Sequence, residues 1–190
     1  MNRRRHGGRV LGFGVVALSL ALTACGADGT AMPTADAPVT TATLTTSADS
    51  GSINFDPCAA LTPPFLAQRR WDARPPQPRI DNAGGSSWKG CAYTASGAYT
   101  FRVQTTDTTL IAVREKFPVA MATTVGGRRA MRYEARPDVP GGCSINVEMK
   151  SGSLFILVDD PRRAHPRGLS PCDNVTEIAE AVVPLLPEGS

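Results

Sequence analysis

Few residues of this 190-residue sequence have the types and spacing that hydrolytic chemistry needs. A nucleophile triad needs a histidine base, and outside the N-terminal segment the chain has one histidine, His165, between Ala164 and Pro166. Asp159 and Asp160 are adjacent acids that could bind a cation or act as a carboxylate pair. We expect His165 to be a solvated loop side chain and both acids to face water. The sequence therefore predicts that the protein is not an enzyme.

Motifs for cofactors and metals are also missing from the sequence. It has no Gly-x-Ser-x-Gly nucleophile elbow, and Gly126-Gly127-Arg128-Arg129 lacks the Gly-Lys-Ser/Thr ending of a phosphate loop. No Cys-x-x-Cys occurs, which argues against a zinc site and against a thioredoxin-like redox centre. We therefore expect no cofactor and no bound metal.

Binding chemistry has better candidates than catalysis. Arg162, Arg163 and Arg167 lie within six residues of one another, and the planar guanidinium binds carboxylates and phosphates through two parallel hydrogen bonds. Trp71 and Trp88 are the two tryptophans of the chain, and either could line a ligand pocket or belong to the core. These five residues are the candidate binding residues.

Residues 1–24 have the pattern of a lipoprotein signal peptide. Four arginines precede an apolar run over 10–22, which is too short for the ~20 residues that cross a bilayer as a helix. Leu22-Thr23-Ala24-Cys25 then matches a lipobox, in which small residues precede the cleavage site and the cysteine thiol receives diacylglycerol. An ordinary secreted protein with an incidental cysteine at the cut is the alternative. We predict lipidation of Cys25 and a cell-membrane location facing the extracytoplasmic side.

The segment that follows the lipobox is a predicted tether. Residues 25–52 comprise the lipidated cysteine and a stretch rich in Thr, Ala and Ser without an aromatic side chain, which we expect to be disordered. Residues 53–190 are then expected to form one domain. The chain has 20 Lys and Arg against 17 Asp and Glu. Because four of those arginines lie in the signal peptide, the charge gives no reason to expect nucleic acid as a partner.

Four cysteines remain if Cys25 is lipidated, and three pairings among them are possible. Export to an oxidising compartment makes disulfides the expected state. In the predicted order of elements, Cys58 and Cys91 are one local pair, and Cys143 and Cys172 are brought together by the last hairpin and the last helix. The favoured pairing is therefore Cys58–Cys91 with Cys143–Cys172, and each closure is worth about 3–4 kcal/mol in the chain-entropy model.

The apolar patterning predicts an α+β fold with the element order α-β-β-α-β-β-β-α. Short helical pieces are expected after Asp56-Pro57 and Thr62-Pro63, because Asp and Thr cap helices and Pro suits the first helical position. Arg74–Pro78 carries three prolines and is expected to be a loop. The other predicted elements are hairpins over 88–94 with 99–105 and 143–150 with 153–159, a strand over 128–134, and helices over 108–117, capped by Asp107, and 171–186. This order predicts an antiparallel sheet of about five strands with the helices on one face.

Several of these features occur together in one known family. They are the lipobox, the tether and the stretches Phe55-Asp56-Pro57-Cys58-Ala59-Ala60-Leu61-Thr62, Trp88-Lys89-Gly90-Cys91-Ala92-Tyr93, Gly142-Cys143-Ser144-Ile145-Asn146-Val147 and Pro171-Cys172-Asp173. The chain resembles actinobacterial lipoproteins of the mycobacterial and nocardial type, whose shared domain has no assigned function. The resemblance covers most of residues 53–186, and Tyr93 departs from it, since a second Trp is expected there. It implies an envelope location and supplies no catalytic residues.

The sequence therefore predicts a lipid-anchored, non-catalytic binding domain. Its expected partners are the membrane, through the N-terminal lipid, and a small ligand, a wall polymer or another envelope protein. One alternative is a structural or regulatory accessory subunit of an envelope complex. Another is a glycan hydrolase that works with carboxylates alone.

Overall fold

The computed structural model describes residues 54–97, 99–138 and 140–190. The predicted signal peptide, the predicted lipidation site Cys25 and the predicted tether lie outside the described residues. The elements, in chain order, are α1 (Pro57–Ala60), α2 (Pro63–Arg69), β1 (Arg74–Ala83), β2 (Ser86–Thr94), β3 (Thr100–Thr106), α3 (Leu110–Lys116), β4 (Met121–Val125), β5 (Arg128–Tyr133), β6 (Gly142–Met149), β7 (Gly152–Asp159) and α4 (Pro171–Val182), which continues into a 3-10 turn over Val183–Leu185.

The strands form one antiparallel sheet in the order β1-β2-β3-β7-β6-β5-β4. The α+β class and the antiparallel sheet are as predicted, and both predicted hairpins are present as β2–β3 and β6–β7. The expectation of about five strands is wrong, because the sheet has seven among the described residues. The two strands that the sequence did not reveal, β1 and β4, are the two edges of the sheet.

Strand β1 contradicts the prediction of a loop at its three prolines. Proline lacks an N–H donor and is excluded from central strands, but an edge strand needs hydrogen bonds on one side only. The pairing of β1 with β2 also shifts register between Arg74 and Gln77, which gives Pro75 and Pro76 an irregular stretch. Pro78 then pairs regularly with Cys91.

Strand β4 has a weak sequence signal for a different reason. Four of its five residues are exposed, so the burial alternation that identifies a half-buried strand is lost. Only Val125, at its end, enters the main core. An edge strand pairs with one neighbouring strand only. When most of its side chains are exposed, its sequence shows no alternation from which a strand could be predicted.

The helices pack on both faces of the sheet, so the prediction of one helical face is wrong for α3. Ala130 belongs to the same core as α4, whereas its neighbour Met131 and Tyr133 pack with Val113 of α3. Successive strand residues point to opposite faces, so α3 lies on the face opposite α4. Amphipathicity shows that a helix has a buried side, but not which sheet face receives it.

The face that carries Cys91 and Cys143, here called the stapled face, holds the main core. One disulfide joins Cys58 of α1 to Cys91 of β2, and the other joins Cys143 of β6 to Cys172 of α4, which is the favoured pairing. The apolar stripe of α4 is fully buried against β6 and β7, with Val175, Ile178, Ala179 and Val182 all 0 % exposed.

The opposite face, here called the α3 face, is held by buried polar groups. The Tyr133 hydroxyl donates to Asn146 Oδ1 at 2.7 Å, Asn146 Nδ2 donates to Ser153 Oγ at 2.7 Å, and Ser153 donates to the Thr108 carbonyl at 2.6 Å. This chain of hydrogen bonds ends at the residue just before the cap of α3. Thr109, and not the predicted Asp107, caps the helix by accepting from the N–H of Ala112.

Candidate functional site

A cleft of about 420 Å³ opens between the end of α2, the β2–β3 turn, the β7–α4 loop and α4. We call it the α2–α4 cleft. Its volume lies within the range of small-molecule sites. The lining side chains that matter chemically are Arg70, Trp71, Tyr99, His165, Arg167 and Glu177.

The chain enters the cleft through an unusual helix end. Arg70 follows the last residue of α2 with φ 60° and ψ 38°, a left-handed conformation that normally selects glycine or asparagine at this position. The next N–H, of Trp71, bonds back to the Leu66 carbonyl at 2.9 Å, and the Arg70 carbonyl accepts from the Ser96 N–H at 2.8 Å. The end of α2 is thereby fixed to the β2–β3 turn.

Two aromatic rings form the floor of the cleft. Trp71 is 4 % exposed, and its indole Nε1–H donates to the Tyr99 hydroxyl at 3.1 Å. Trp71 also meets Phe101 edge to face, with ring centroids 5.0 Å apart. Burial raises the pKa of the Tyr99 phenol, so this hydroxyl stays protonated at neutral pH. The floor is therefore aromatic and buried, with the Trp71–Tyr99 hydrogen bond joining its two rings.

His165 stands beside this floor, contrary to the expectation of a solvated loop side chain. It is 8 % exposed, and its ring centroid is 5.2 Å from that of Tyr99. The buried Asp160 fixes the loop, since its carboxylate accepts from the Ala164 N–H at 2.7 Å and from the His165 N–H at 3.1 Å. Asp160 therefore serves the backbone and does not face water.

The hydrogen bonding of His165 shows which ring nitrogen carries the proton when the imidazole is neutral. Its Nδ1 accepts from the Arg167 N–H at 3.3 Å, which leaves the proton on Nε2. Burial lowers the pKa of the imidazole below its ordinary value, and Arg167 lowers it further, against smaller opposing effects of Glu177 and Asp160. His165 is therefore a neutral hydrogen-bond donor at the cleft at neutral pH.

The three arginines of the cleft differ in what they contact. The Arg69 guanidinium lies over the Phe65 ring, 3.7 Å from its centroid, and donates to the Phe65 carbonyl. Arg167 forms an ion pair with Glu177 of α4. Arg70 makes no salt bridge and no side-chain hydrogen bond to any residue that the structure describes. The cleft thus has two engaged cations and one that is available.

The structure brings together two of the five residues predicted as binding candidates. Trp71 and Arg167 line the cleft, although 96 residues separate them in the chain. Trp88 lies on the α3 face, where it meets Phe155 with ring centroids 6.4 Å apart. Arg162 and Arg163 are exposed on the β7–α4 loop and do not line the cleft. Asp159, the other acid of the predicted pair, forms an ion pair with Arg136.

Three residues of the cleft were missed at the sequence level. Arg70 and Tyr99 sit at element ends, where no pattern marks them. His165 was considered and judged solvated, because nothing in the sequence shows that Asp160 folds the loop inward. The one available signal is the stretch Asp160-Pro161-x-x-x-His165-Pro166, in which each of the two residues precedes a proline and which fits a tight, carboxylate-held turn.

A second concave region lies over α3 and the β4–β5 hairpin. This α3–β4 groove has a volume of about 550 Å³ and is lined by Ile111, Ala122 and Met131 among others. Three of its charged residues are engaged locally, since Arg129 pairs with Glu148 and Arg114 donates to Met131 Sδ at 3.5 Å. The groove is larger than the α2–α4 cleft, and it also contains Glu115 and Lys150, which form no ion pair among the described residues.

Among the residues that the structure describes, no group of three or more His, Cys, Asp or Glu side chains is placed to hold a metal ion. Within the same part of the chain, every helix falls short of the length and apolar character that crossing a bilayer requires.

Comparison with known proteins gives one match. Residues 20–185 match the model of a family described as "Protein of unknown function (DUF3558)". No curated protein and no solved structure matches the chain.

Proposed function

The chain belongs to the family described as protein of unknown function (DUF3558), and we propose that it is a non-catalytic binding domain whose α2–α4 cleft takes a small molecule with a flat apolar part. The observation that carries this proposal is the convergence of Trp71, Tyr99 and His165 on one cleft. A rigid aromatic floor with a few fixed polar groups is the usual composition of a small-molecule site.

The proposed setting is the outer face of the cytoplasmic membrane, with a lipid on Cys25 as anchor. The lipobox Leu22-Thr23-Ala24-Cys25 supports this location, and so do the two disulfides, which persist in oxidising compartments. A Cys25→Ala chain is expected to leave the membrane fraction and appear in the medium. Its retention at the membrane would contradict the lipid anchor.

The binding proposal is tested by filling the cleft. Ala181 of α4 lines it and is only partly buried, so Ala181→Phe adds bulk to the cleft with little strain in the core. The probe is indole-3-acetamide, a flat uncharged molecule of fragment size, for which we expect a dissociation constant of about 1 mM. We expect saturation-transfer NMR with the full-length chain to show binding that weakens at least tenfold in Ala181→Phe.

The matched control is the same substitution in the other concave region. Ala122→Phe adds the same bulk to the α3–β4 groove and leaves the cleft untouched. It is expected to bind indole-3-acetamide as the unsubstituted chain does. Loss of binding in Ala122→Phe with retention in Ala181→Phe, or no binding to any of the three chains, would contradict the proposal.

A specific observation favours a second function, that of an accessory subunit docking a partner protein. Three of the four large hydrophobic side chains that the structure leaves exposed, Ile111 (73 %), Val119 (86 %) and Met121 (55 %), lie around α3 and β4. Chemical crosslinking on intact membranes separates the two functions. A crosslinked protein that is lost in Met121→Lys but kept in Ala181→Phe would favour docking at this edge.

Neither acid of the predicted carboxylate pair supports the hydrolase alternative. The carboxylate of Asp159 is held by Arg136, and that of Asp160 is saturated by backbone N–H groups. A glycosidase needs one carboxyl to protonate the leaving group and a second facing the same bond.

A further inference from the structure

Resting on the proposed function, we propose that the α2–α4 cleft binds the oxyanion of its ligand, a carboxylate or a phosphate monoester, between the Arg70 guanidinium and the Nε2–H of His165. The ligand class is therefore a flat apolar molecule that carries one oxyanion. Trp71 and Tyr99 of the cleft contact the flat apolar part of the ligand. Arg70 and His165 bind its oxyanion, Arg70 as a charged donor and His165 as a neutral one.

The backbone of Arg70 is the first observation. A left-handed conformation is unfavourable for a residue with a Cβ, and glycine avoids this cost. Here the carbonyl and the N–H of Arg70 are both engaged, so the conformation is fixed by the fold. A strained position that carries a long cationic side chain at the rim of a cleft is a reason to look for a role of that side chain.

The charge distribution around the cleft is the second observation. Arg69 is stacked on Phe65 and Arg167 is paired with Glu177, whereas the Arg70 guanidinium has no partner among the described residues. A guanidinium offers several N–H donors in a plane, which suits the oxygens of a carboxylate or a phosphate. The cleft therefore favours an anionic ligand over a neutral one of the same shape.

His165 is the third observation. Its Nδ1 is occupied by the Arg167 N–H, and its Nε2–H has no acceptor among the residues that the structure describes. Nε2 is not among the buried side-chain atoms that lack a hydrogen-bond partner, so it is reached by solvent and can donate to a ligand oxygen there. His165 and Arg70 both line the same cleft, above the aromatic floor.

The test compares three indoles that differ in the substituent at C3. Indole-3-acetate carries a carboxylate, indoxyl phosphate a phosphate monoester, and indole-3-acetamide no charge. We expect at least one of the two anions to bind the full-length chain about five- to tenfold more tightly than the amide. The tighter of the two identifies the oxyanion.

The decisive variant is Arg70→Gly, because it separates a role in binding from a role in structure. Glycine is preferred in the left-handed conformation, so the melting temperature should stay the same or rise. The anion should then bind no more tightly than indole-3-acetamide, so that the ratio of the two dissociation constants falls to about one. The affinity for indole-3-acetamide itself should stay unchanged. Arg70→Lys keeps the charge, and is expected to retain part of the preference.

The outcomes separate this inference from the proposed function. If indole-3-acetamide binds at the cleft but the anions bind no more tightly, or if Arg70→Gly keeps the preference, the oxyanion site is wrong and the binding cleft stands. If none of the three indoles binds, the proposed function itself is wrong. His165→Phe provides the second check, because it removes the Nε2–H donor and should weaken the binding of both anions; unchanged anion affinity would contradict the role of His165.

Discussion

The two concave regions of this molecule differ in a way that their sizes do not show. The α3–β4 groove is the larger, at about 550 Å³ against about 420 Å³ for the α2–α4 cleft, and its exposed rim is more apolar. Arg129 and Glu148 of the groove pair with each other, whereas the cleft places Arg70, which has no partner among the described residues, in the same lining as His165. Our proposal of a ligand site therefore rests on the donors that the cleft brings together and not on its volume.

The two regions also differ in what holds them. The cleft is built on the stapled face, between elements tied by both disulfides and packed on the main core. The groove is built on α3, a seven-residue helix that is held to the sheet by a small cluster around Val113 and by one chain of hydrogen bonds. A preorganised binding site needs disulfides or core packing to hold it. A loosely held site must be ordered when the ligand binds, and the entropy lost in ordering it lowers the affinity.

The largest expected effect comes from removing the disulfide beneath the cleft. Replacing Cys143 and Cys172 together by Ala should lower the free energy of unfolding by about 2–5 kcal/mol, measured by urea denaturation. Because Cys172 lies in the first turn of α4, Glu177 and Ala181 should become mobile. The cleft should then no longer bind indole-3-acetamide. A loss below about 1 kcal/mol, with full binding, would show that α4 is held by packing alone.

The next largest effect on the free energy of unfolding is expected on the α3 face. Tyr133→Phe removes the donor to Asn146 and leaves a buried oxygen unsatisfied, which should cost about 1–3 kcal/mol. Faster hydrogen exchange in α3 with unchanged probe binding at the cleft is the expected result. If cleft binding fell in step with α3 protection, the two regions would be one cooperative unit and the comparison would fail.

The smallest expected effect is the pH dependence that His165 contributes. Because its pKa is lowered in the folded chain, the unfolded state binds more protons below the ordinary histidine pKa of about 6.5. The free energy of unfolding should therefore fall as the pH drops through this value and stay level above it. His165→Gln should flatten the slope between pH 7.5 and 5.5, and an unchanged slope would assign it to other groups.

The sequence predicted those parts of the fold that local chemistry determines. As predicted, Asp56 caps α1 through a side-chain hydrogen bond and the turn at Ser151-Gly152 joins β6 to β7, whereas the predicted cap Thr62 makes no side-chain hydrogen bond to α2. The disulfide pairing followed from the order of the elements. The edges β1 and β4 were missed because edge strands tolerate proline and lack a buried alternation.

The site was less predictable because it depends on long-range assembly. Trp71 and Arg167 were named from their types, but Arg162, Arg163 and Trp88 were named with equal reason and lie elsewhere. The sequence contains no sign that Arg70 takes a left-handed conformation or that Asp160 turns His165 inward. Both follow from contacts between segments that are far apart in the chain.

The two tryptophans offer the most direct test of the central claim, that the α2–α4 cleft is the binding site. A ¹⁵N spectrum of the full-length chain should show two indole signals, from Trp71 in the cleft and from Trp88 on the α3 face, and Trp88→Phe assigns them. On addition of indole-3-acetate, the account predicts that the Trp71 signal moves and the Trp88 signal stays. Movement of Trp88 with a stationary Trp71 would contradict it.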